Sequence, residues 1–240
     1  MKKILNFILI FTIIYSVFYF SPLSLISVEK SNFNNNKVWK HRFLDPISNY
    51  NLMNNFNGFE VDVFYNHKKN IFEVKHHGKK SNLNLTEYFN FFEKDKFFWI
   101  DFKNLNENNL NESYKKLNDI CKNNNLKQRI FIESKNIKYL NLFQENGFLI
   151  SYWVPNYHFF GSIISSFQVQ KNLIEYRPTA ISCDINSLHF YIKKFPKYNF
   201  FCWANEMVSE EDKKRIRKFA ENDNIQIILI DFKYNILTNP

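Results

Sequence analysis

Short apolar segments alternate with helical patterns through most of the chain, and this alternation limits its fold more than any other feature. Eight segments have the length and the β-branched or aromatic content of buried strands: 38–43, 59–64, 97–102, 129–134, 148–154, 180–184, 200–204 and 225–232. Strands that alternate with helices favour a parallel sheet. Eight of them predict an α/β fold, a (β/α)8 TIM barrel, with an open doubly wound sheet as the alternative.

A ninth apolar segment, Ile71–His76, follows the second across the polar NHKKN stretch and predicts a small hairpin insertion after strand 2. Among the helices, Thr86 is the expected N-cap of one, and Gly147 is expected to end another. Ser209 and Asp212 have the spacing of a capping box. Residues 159–176 are long for a plain connection, so we expect an extra helix or a flap there.

The N-terminus reads MKKILNFILIFTIIYSVFYFSPLS, in which two lysines precede a mostly apolar segment from Ile4 to Phe20. This pattern is typical of a signal peptide or a signal anchor, and the segment is about long enough to cross a bilayer. Since no clear cleavage site follows, the sequence favours an uncleaved anchor. We therefore divide the chain into residues 1–27 (signal peptide or anchor), 28–37 (linker) and 38–240 (barrel), and expect the barrel to work outside the cytoplasm, in the periplasm or at the cell surface.

Composition excludes some functions. With only 4 glycines and no GxGxxG or GxxxxGK[ST] motif, the chain has no Gly-rich phosphate loop. The net charge of +9 suits an anionic partner, but no basic run or aromatic–basic repeat indicates nucleic-acid binding, and a lysine-rich solvated surface explains the charge as well. The three cysteines, Cys121, Cys183 and Cys202, lack metal-site spacing, and we expect Cys183 and Cys202 to be buried free thiols.

The second strand contains GFEVDV, in which Glu60 and Asp62 share one face. Two neighbouring carboxylates in an apolar setting repel each other and lose hydration. Protonation, a basic partner or a metal ion relieves that cost. In a barrel, inward-facing residues at the carboxyl ends of strands form the active site, so the pair is expected to project into the barrel mouth.

Other strand ends carry polar or aromatic residues that would meet this pair. They are His41 and Arg42 after the first strand, His76 and His77 after the hairpin arm, Asp101 and Lys103 on one face of the third strand, and Trp203 on the seventh. Each has an ordinary structural explanation when taken alone: a strand-end histidine is usually structural, and an Asp-x-Lys pair usually satisfies itself. Their joint order along the chain is more specific.

This order resembles the phospholipase-C-like phosphodiesterases, a TIM-barrel superfamily that includes glycerophosphodiester phosphodiesterases and sphingomyelinases D. The matching motifs lie within residues 41–103, apart from Trp203. The resemblance implies that Glu60, Asp62 and Asp101 bind one divalent cation, Mg²⁺ or Ca²⁺. It implies acid/base roles for His41 and His76, and substrate binding by Arg42, Lys103 and Trp203. The implied substrate is a small phosphodiester or lysophospholipid. We expect the protein to be a monomer that contacts the membrane through its N-terminal segment.

The chain also departs from that pattern. Phe43 replaces the usual glycine after His-Arg, and the Glu-Asn-Thr signature of glycerophosphodiesterases is missing. His77 stands where an aspartate is usual, so face alternation alone favours His76 over His77 as the second catalytic histidine. Asp101 stands where a glutamate is frequent. Three alternatives stay open: a catalytically inactive envelope protein that uses the barrel as a binding scaffold, a metal-free ion network of Glu60, Asp62, Arg42 and Lys103, and a glycosidase. The last is disfavoured because Glu60 and Asp62 are too close together.

Overall fold

The computed structural model describes residues 2–20, 23, 26–28, 36–76, 78–157, 162–204 and 209–231. The helices are α1 (Lys2–Phe20), α2 (Tyr50–Met53), α3 (Leu85–Phe89), α4 (Leu110–Asn124), α5 (Ile137–Glu145), α6 (Ser162–Tyr176), α7 (Leu188–Lys194) and α8 (Glu210–Ala220). The strands are β1 (Val38–Lys40), β2 (Gly58–Asn66), β3 (Ile71–His76), β4 (Lys79–Asn84), β5 (Phe97–Phe102), β6 (Ile130–Ser134), β7 (Leu149–Trp153), β8 (Ala180–Asp184), β9 (Phe200–Ala204) and β10 (Ile225–Ile230).

Eight parallel strands close into a barrel, which confirms the predicted fold. Their order is β1-β2-β5-β6-β7-β8-β9-β10, and β10 pairs with β1. The closing contact between β1 and β2 is short and consists of Lys40 opposite Phe59. Every pair of successive barrel strands is linked by a segment that contains a helix, so the barrel mouth lies at the strands' carboxyl ends.

The hairpin insertion predicted after strand 2 is present and has one more strand than expected. β3 runs antiparallel to the end of β2, and β4 pairs with the outer side of β3. The sequence analysis did not predict β4, whose residues KKSNLN have little apolar alternation. This ribbon brings the end of β3, and with it His76, back to the barrel mouth.

The barrel interior is filled below the mouth by a separate apolar cluster. Its members come from alternate strand positions and are Trp39, Trp99, Phe131, Ala180, Phe201, Ile227 and Leu229. The Trp99 and Phe201 rings lie 5.2 Å apart, and those of Phe131 and Phe201 5.0 Å apart. Gly58 leaves the space that the Trp39 indole occupies. A larger apolar cluster lies between the strands and the surrounding helices.

Several local predictions can be compared with the structure. The capping box at Ser209 and Asp212 is present, and Gly147, with φ +81°, follows the end of α5. The prediction that Thr86 is the N-cap of α3 is wrong. The N-cap is Asn84, two residues earlier, and it forms a capping box with Glu87. The extra helix expected within 159–176 is α6, although residues 158–161 lie outside the described part of the chain.

The first and last predicted strands are shorter than expected: β1 ends at Lys40, so His41 and Arg42 follow it, and β10 ends at Ile230. All three cysteines are buried free thiols. In α1 the large apolar side chains Ile4, Leu5 and Phe7 are exposed. Within the described residues, no helix combines the length and the hydropathy that a membrane crossing requires. The expected export segment stays a prediction.

Candidate active site

Three carboxylates meet at the mouth of the barrel, as the sequence predicts. Glu60 and Asp62 lie on the inner face of β2, and Asp101 is the direct neighbour of Asp62 on β5. All three side chains are buried, and one oxygen from each lies within 4.8 Å of the others. The Oδ1 of Asp101 is buried without a hydrogen-bond partner in the described residues. Three hard oxygen donors around one point, one of them unsatisfied, fit a divalent cation.

Ionisation of these carboxylates is unfavourable because they are buried beside one another. Burial raises the pKa of Glu60 well above its usual value, and the neighbouring Asp62 and Asp101 charges raise it further. Burial likewise raises the pKa of Asp101, to about 6. The backbone N–H of Arg42 offsets part of this cost, because it donates a 2.7 Å hydrogen bond to the Glu60 Oε2. Arg42 presents that N–H from a left-handed backbone conformation with φ +51°.

The positively charged side chain of Lys103 contacts this carboxylate cluster. Its Nζ lies 2.5 Å from the Asp62 Oδ1 and also contacts the Asp101 Oδ2. Burial acts to lower the Lys103 pKa, but the Asp101 and Asp62 charges outweigh it, so the net shift is upward and the ammonium stays charged. The ion network considered as an alternative forms only in part. Among the described residues, the Arg42 guanidinium forms an ion pair with Asp231, at 3.7 Å, and none with Glu60 within 4.0 Å.

Two histidines flank the carboxylates from opposite sides. The Nε2 of His41, just after β1, lies 3.8 Å from the Glu60 Oε2, and its Nδ1 lies 3.0 Å from the Asp231 Oδ1. Burial lowers the His41 pKa against the opposing effect of Asp231, so the ring is neutral at neutral pH. The Nδ1 of His76, at the end of β3, lies 2.6 Å from the Asp62 Oδ2. His77 lies outside the described residues, whereas His76 takes the position that face alternation predicts.

All eight site residues predicted from the sequence line one cavity of about 680 Å³. They are His41, Arg42, Glu60, Asp62, His76, Asp101, Lys103 and Trp203. Tyr152 and Trp153 also line this cavity. The Trp153 and Trp203 rings meet edge to face at 5.4 Å and form one wall. His67 is not among the residues that line this cavity and contacts Glu112 instead.

Sequence reasoning missed several residues of this site. Asp231 follows β10, Lys135 follows β6, and Asp184 ends β8. Glu133, on β6, is the fourth residue of this group. It faces the cavity, is buried, and its pKa is raised well above the usual range by burial and by Asp101. The signal for all four was available, because each is a charged residue two positions after an inward-facing strand residue.

The arrangement can support hydrolysis of a phosphate ester. It offers an oxygen-rich cation site, a lysine that can hold an anionic oxygen, and two imidazoles on opposite sides that can accept and donate protons. The carboxylates Glu60 and Asp62 are neighbours on one strand, so they are too close together for the two carboxyl roles of a glycosidase.

Comparison with solved structures agrees with the barrel. A glycerophosphodiester phosphodiesterase from Parabacteroides distasonis is 15% identical, covers 82% of this chain and 93% of its own, and has a TM-score of 0.59. A phosphodiesterase from Oleispira antarctica in complex with its product sn-glycerol-3-phosphate is 11% identical, with 82% and 93% coverage and a TM-score of 0.58. A glycerophosphodiester phosphodiesterase from Agrobacterium tumefaciens is 10% identical, covers 84% of this chain and 98% of its own, and has a TM-score of 0.56.

At these identities the likeness shows a shared fold. No protein-family model and no curated protein matches the chain.

Proposed function

We propose that the protein is a metal-dependent phosphodiesterase that acts on glycerophosphodiesters or on phospholipid-derived headgroups. The observation that carries this proposal is the meeting of a buried carboxylate triad, two histidines and a lysine in one cavity at the carboxyl ends of the barrel strands. The solved structures with this fold include several glycerophosphodiester phosphodiesterases, which supports the same reaction class.

Glu60, Asp62 and Asp101 would hold one divalent cation, either Mg²⁺ or Ca²⁺, because both prefer carboxylate oxygens. The bound cation would polarise the phosphoryl group and stabilise the negative charge that develops in the transition state. Lys103, already charged and turned toward the same point, would bind a non-bridging phosphate oxygen. The Arg42 guanidinium would add support from the opposite side of the triad.

His41 and His76 would move the protons. Asp231 holds the Nδ1 side of His41, so the neutral ring presents Nε2 as the base that removes a proton from the attacking hydroxyl or water. Asp62 contacts Nδ1 of His76, which leaves the Nε2 of that ring to protonate the departing alkoxide. One P–O bond forms and one breaks, and a phosphodiester yields a phosphate ester and an alcohol. Each histidine would contribute roughly 10²- to 10⁴-fold to the rate.

The non-reacting part of the substrate would lie against Trp203 and Trp153, whose rings form one wall of the cavity. A cavity of about 680 Å³ suits a small phosphodiester or the headgroup of a lysophospholipid. The neighbour from Oleispira antarctica, which holds sn-glycerol-3-phosphate, supports a product of this size.

The test is hydrolysis by the purified full-length chain. The substrates are bis(p-nitrophenyl) phosphate, a panel of glycerophosphodiesters and a lysophospholipid, each with EDTA, Mg²⁺ or Ca²⁺. We expect metal-dependent turnover that is lost in His41→Ala and in Glu60→Ala. The matched controls His189→Ala and Glu107→Ala change exposed residues outside the cavity and should retain activity. A folded protein that hydrolyses none of these and is not stabilised by metal would instead support the binding scaffold.

We also propose that the protein is exported and acts outside the cytoplasm. The two lysines before an apolar segment, together with the exposed apolar side chains of α1, support this proposal. Fractionation of cells that express the full chain, with protease added to intact cells, tests it. Recovery of an intact, protease-protected protein in the cytoplasmic fraction would refute it.

A further inference from the structure

A side groove leads from the carboxylates toward the outside of the barrel between β3 and β6. It has a volume of about 360 Å³ and shares Lys103, Lys135 and Trp153 with the main cavity. Phe64 lines it on the hairpin side, and Asn136 lines it on the β6 side. In the proposed reaction, His76, Asp101 and Lys103 act at the inner end of this groove and Trp153 packs against the substrate, whereas Lys135 has no role.

Among the cationic side chains that line the cavity in the described residues, Lys135 is the one that the mechanism leaves unused. It continues the inward-facing row of β6 one step beyond Glu133, as Lys103 does beyond Asp101 on β5. Its Nζ lies 4.1 Å from the centre of the Trp153 ring, and the Nζ of Lys103 lies 5.1 Å from the same ring. The two ammonium groups therefore lie over one indole, at the junction of the groove and the cavity.

The two lysines differ in their partners. Lys103 contacts both Asp62 and Asp101, so its donors are shared between these carboxylates and the reacting phosphate. Among the described residues, Lys135 makes no ion pair with a carboxylate within 4.0 Å, although acidic side chains line the same cavity. The Lys135 charge does favour the ionised form of Asp101, but no carboxylate of the described residues is in direct contact with the ammonium group. A lysine held on an aromatic face in this way keeps its donors available for an incoming anion.

The charges around the mouth favour this side for an anion. Among the described residues, the side groove is lined by two lysines, Lys103 and Lys135, and by one carboxylate, Asp101, which contacts Lys103. Farther along the sheet, Asp184 is the direct neighbour of Trp203 across the β8–β9 pair, and that carboxylate would repel a negative group. A substrate with a second negative charge would therefore direct it toward Lys135.

We propose that Lys135 and this groove bind a second anionic group of the substrate, a carboxylate or phosphate that does not react. The preferred substrates would then be phosphodiesters whose headgroup carries an additional negative charge. This inference rests on the proposed phosphodiesterase function. Kinetic and binding measurements together distinguish a failure of the groove proposal from a failure of the proposed function.

The kinetic experiment compares glycerophosphoserine with glycerophosphoethanolamine, which differ by one carboxylate. We expect the wild-type chain to have the higher kcat/KM for glycerophosphoserine. Lys135→Gln should reduce that value about tenfold, since a charge-assisted hydrogen bond is lost, and should change the value for glycerophosphoethanolamine less than about twofold. Lys135→Arg should retain the preference. The control Lys138→Gln removes an exposed lysine that lies over Tyr139 outside the groove, and should change neither value.

A binding experiment gives the same comparison without turnover. Calorimetry with the wild-type chain should give tighter binding of O-phosphoserine than of O-phosphoethanolamine, and Lys135→Gln should remove the difference. If neither diester is hydrolysed but this selective binding is observed, the groove proposal stands and the proposed function fails. If hydrolysis occurs and Lys135→Gln affects both substrates equally or neither, the groove proposal is overturned and the proposed function stands.

Discussion

Removal or addition of a divalent cation should change the stability of this fold in a pH-dependent way. Glu60, Asp62 and Asp101 are buried together, and burial raises the pKa of Asp101 from 3.8 to about 6. That shift of about 2 units makes the ionised Asp101 roughly 3 kcal/mol less favourable in the folded chain than in the unfolded chain. Because the folded pKa is the higher one, the metal-free protein loses this stability as pH rises from about 4 to 6.

A cation that binds the ionised carboxylates reverses this loss. At a free concentration of about 100 times its Kd, it stabilises the folded state by about 2.7 kcal/mol. In a domain of this size that corresponds to a rise in Tm of roughly 5–10 °C. Below pH 6 the cation must displace a proton from Asp101, so its apparent affinity falls about tenfold per pH unit. At pH 5 the same concentration should therefore give only about 1.4 kcal/mol, about half the rise in Tm.

The assay is thermal melting of the full chain at pH 7.5 and pH 5, in EDTA and then with Mg²⁺ or Ca²⁺. Glu60→Gln, which removes one donor charge, should abolish most of the rise, and Glu107→Gln, an exposed change, should preserve it. Glu60 has a raised pKa as well, so its proton should make the decline toward low pH steeper still. A rise in Tm that is equal at both pH values, or equal in wild type and Glu60→Gln, would refute a cation site at these carboxylates.

Three further predictions follow from individual contacts. Asp231→Asn leaves the shape intact but no longer favours the proton on Nδ1 of His41, so kcat should fall roughly 10²-fold or more while KM changes little; unchanged kcat would exclude this role. Gly58→Ala would place a methyl group into the Trp39 ring and should destabilise the chain by about 1–3 kcal/mol, read as a lower denaturant midpoint; an unchanged midpoint would contradict the packing described. Asn84→Ala removes the cap of α3 and should cost about 1 kcal/mol, seen as a Tm lower by roughly 2–4 °C; no decrease would show that the capping box contributes nothing.

Much of the barrel could be predicted from the sequence because its strands are buried on both faces. Strands of this kind appear as short apolar segments with clear limits, and the segment 97–102 matches β5 without a change of boundary. The carboxylates were found for the same reason. Once a segment is known to be a strand, every second residue faces the interior, so Glu60, Asp62 and Asp101 stand out as charges where apolar side chains belong.

Strand alternation could have found the missed cavity residues, but other features depend on contacts that no local pattern contains. β4 is a polar outer strand whose pairing with β3 decides its conformation, so its sequence carries no strand signal. The partner of His41 is Asp231, 190 positions later in the sequence, and the two meet only because β10 pairs with β1 and closes the barrel. Likewise, Arg42 could be assigned to the site from its neighbour His41, but its pairing with Asp231 could not.

The buried rings of four residues inside the barrel limit how molecules can enter and leave the site. They are Trp39, Trp99, Phe131 and Phe201. These rings pack against each other beneath the carboxylates, and within the described residues they fill the barrel interior and block a passage to its other end. In the proposed reaction, substrate and products would therefore use the same entrance in turn. A bound phosphate-ester product would block the next substrate molecule, so product should act as a competitive inhibitor and its release would set an upper limit on turnover.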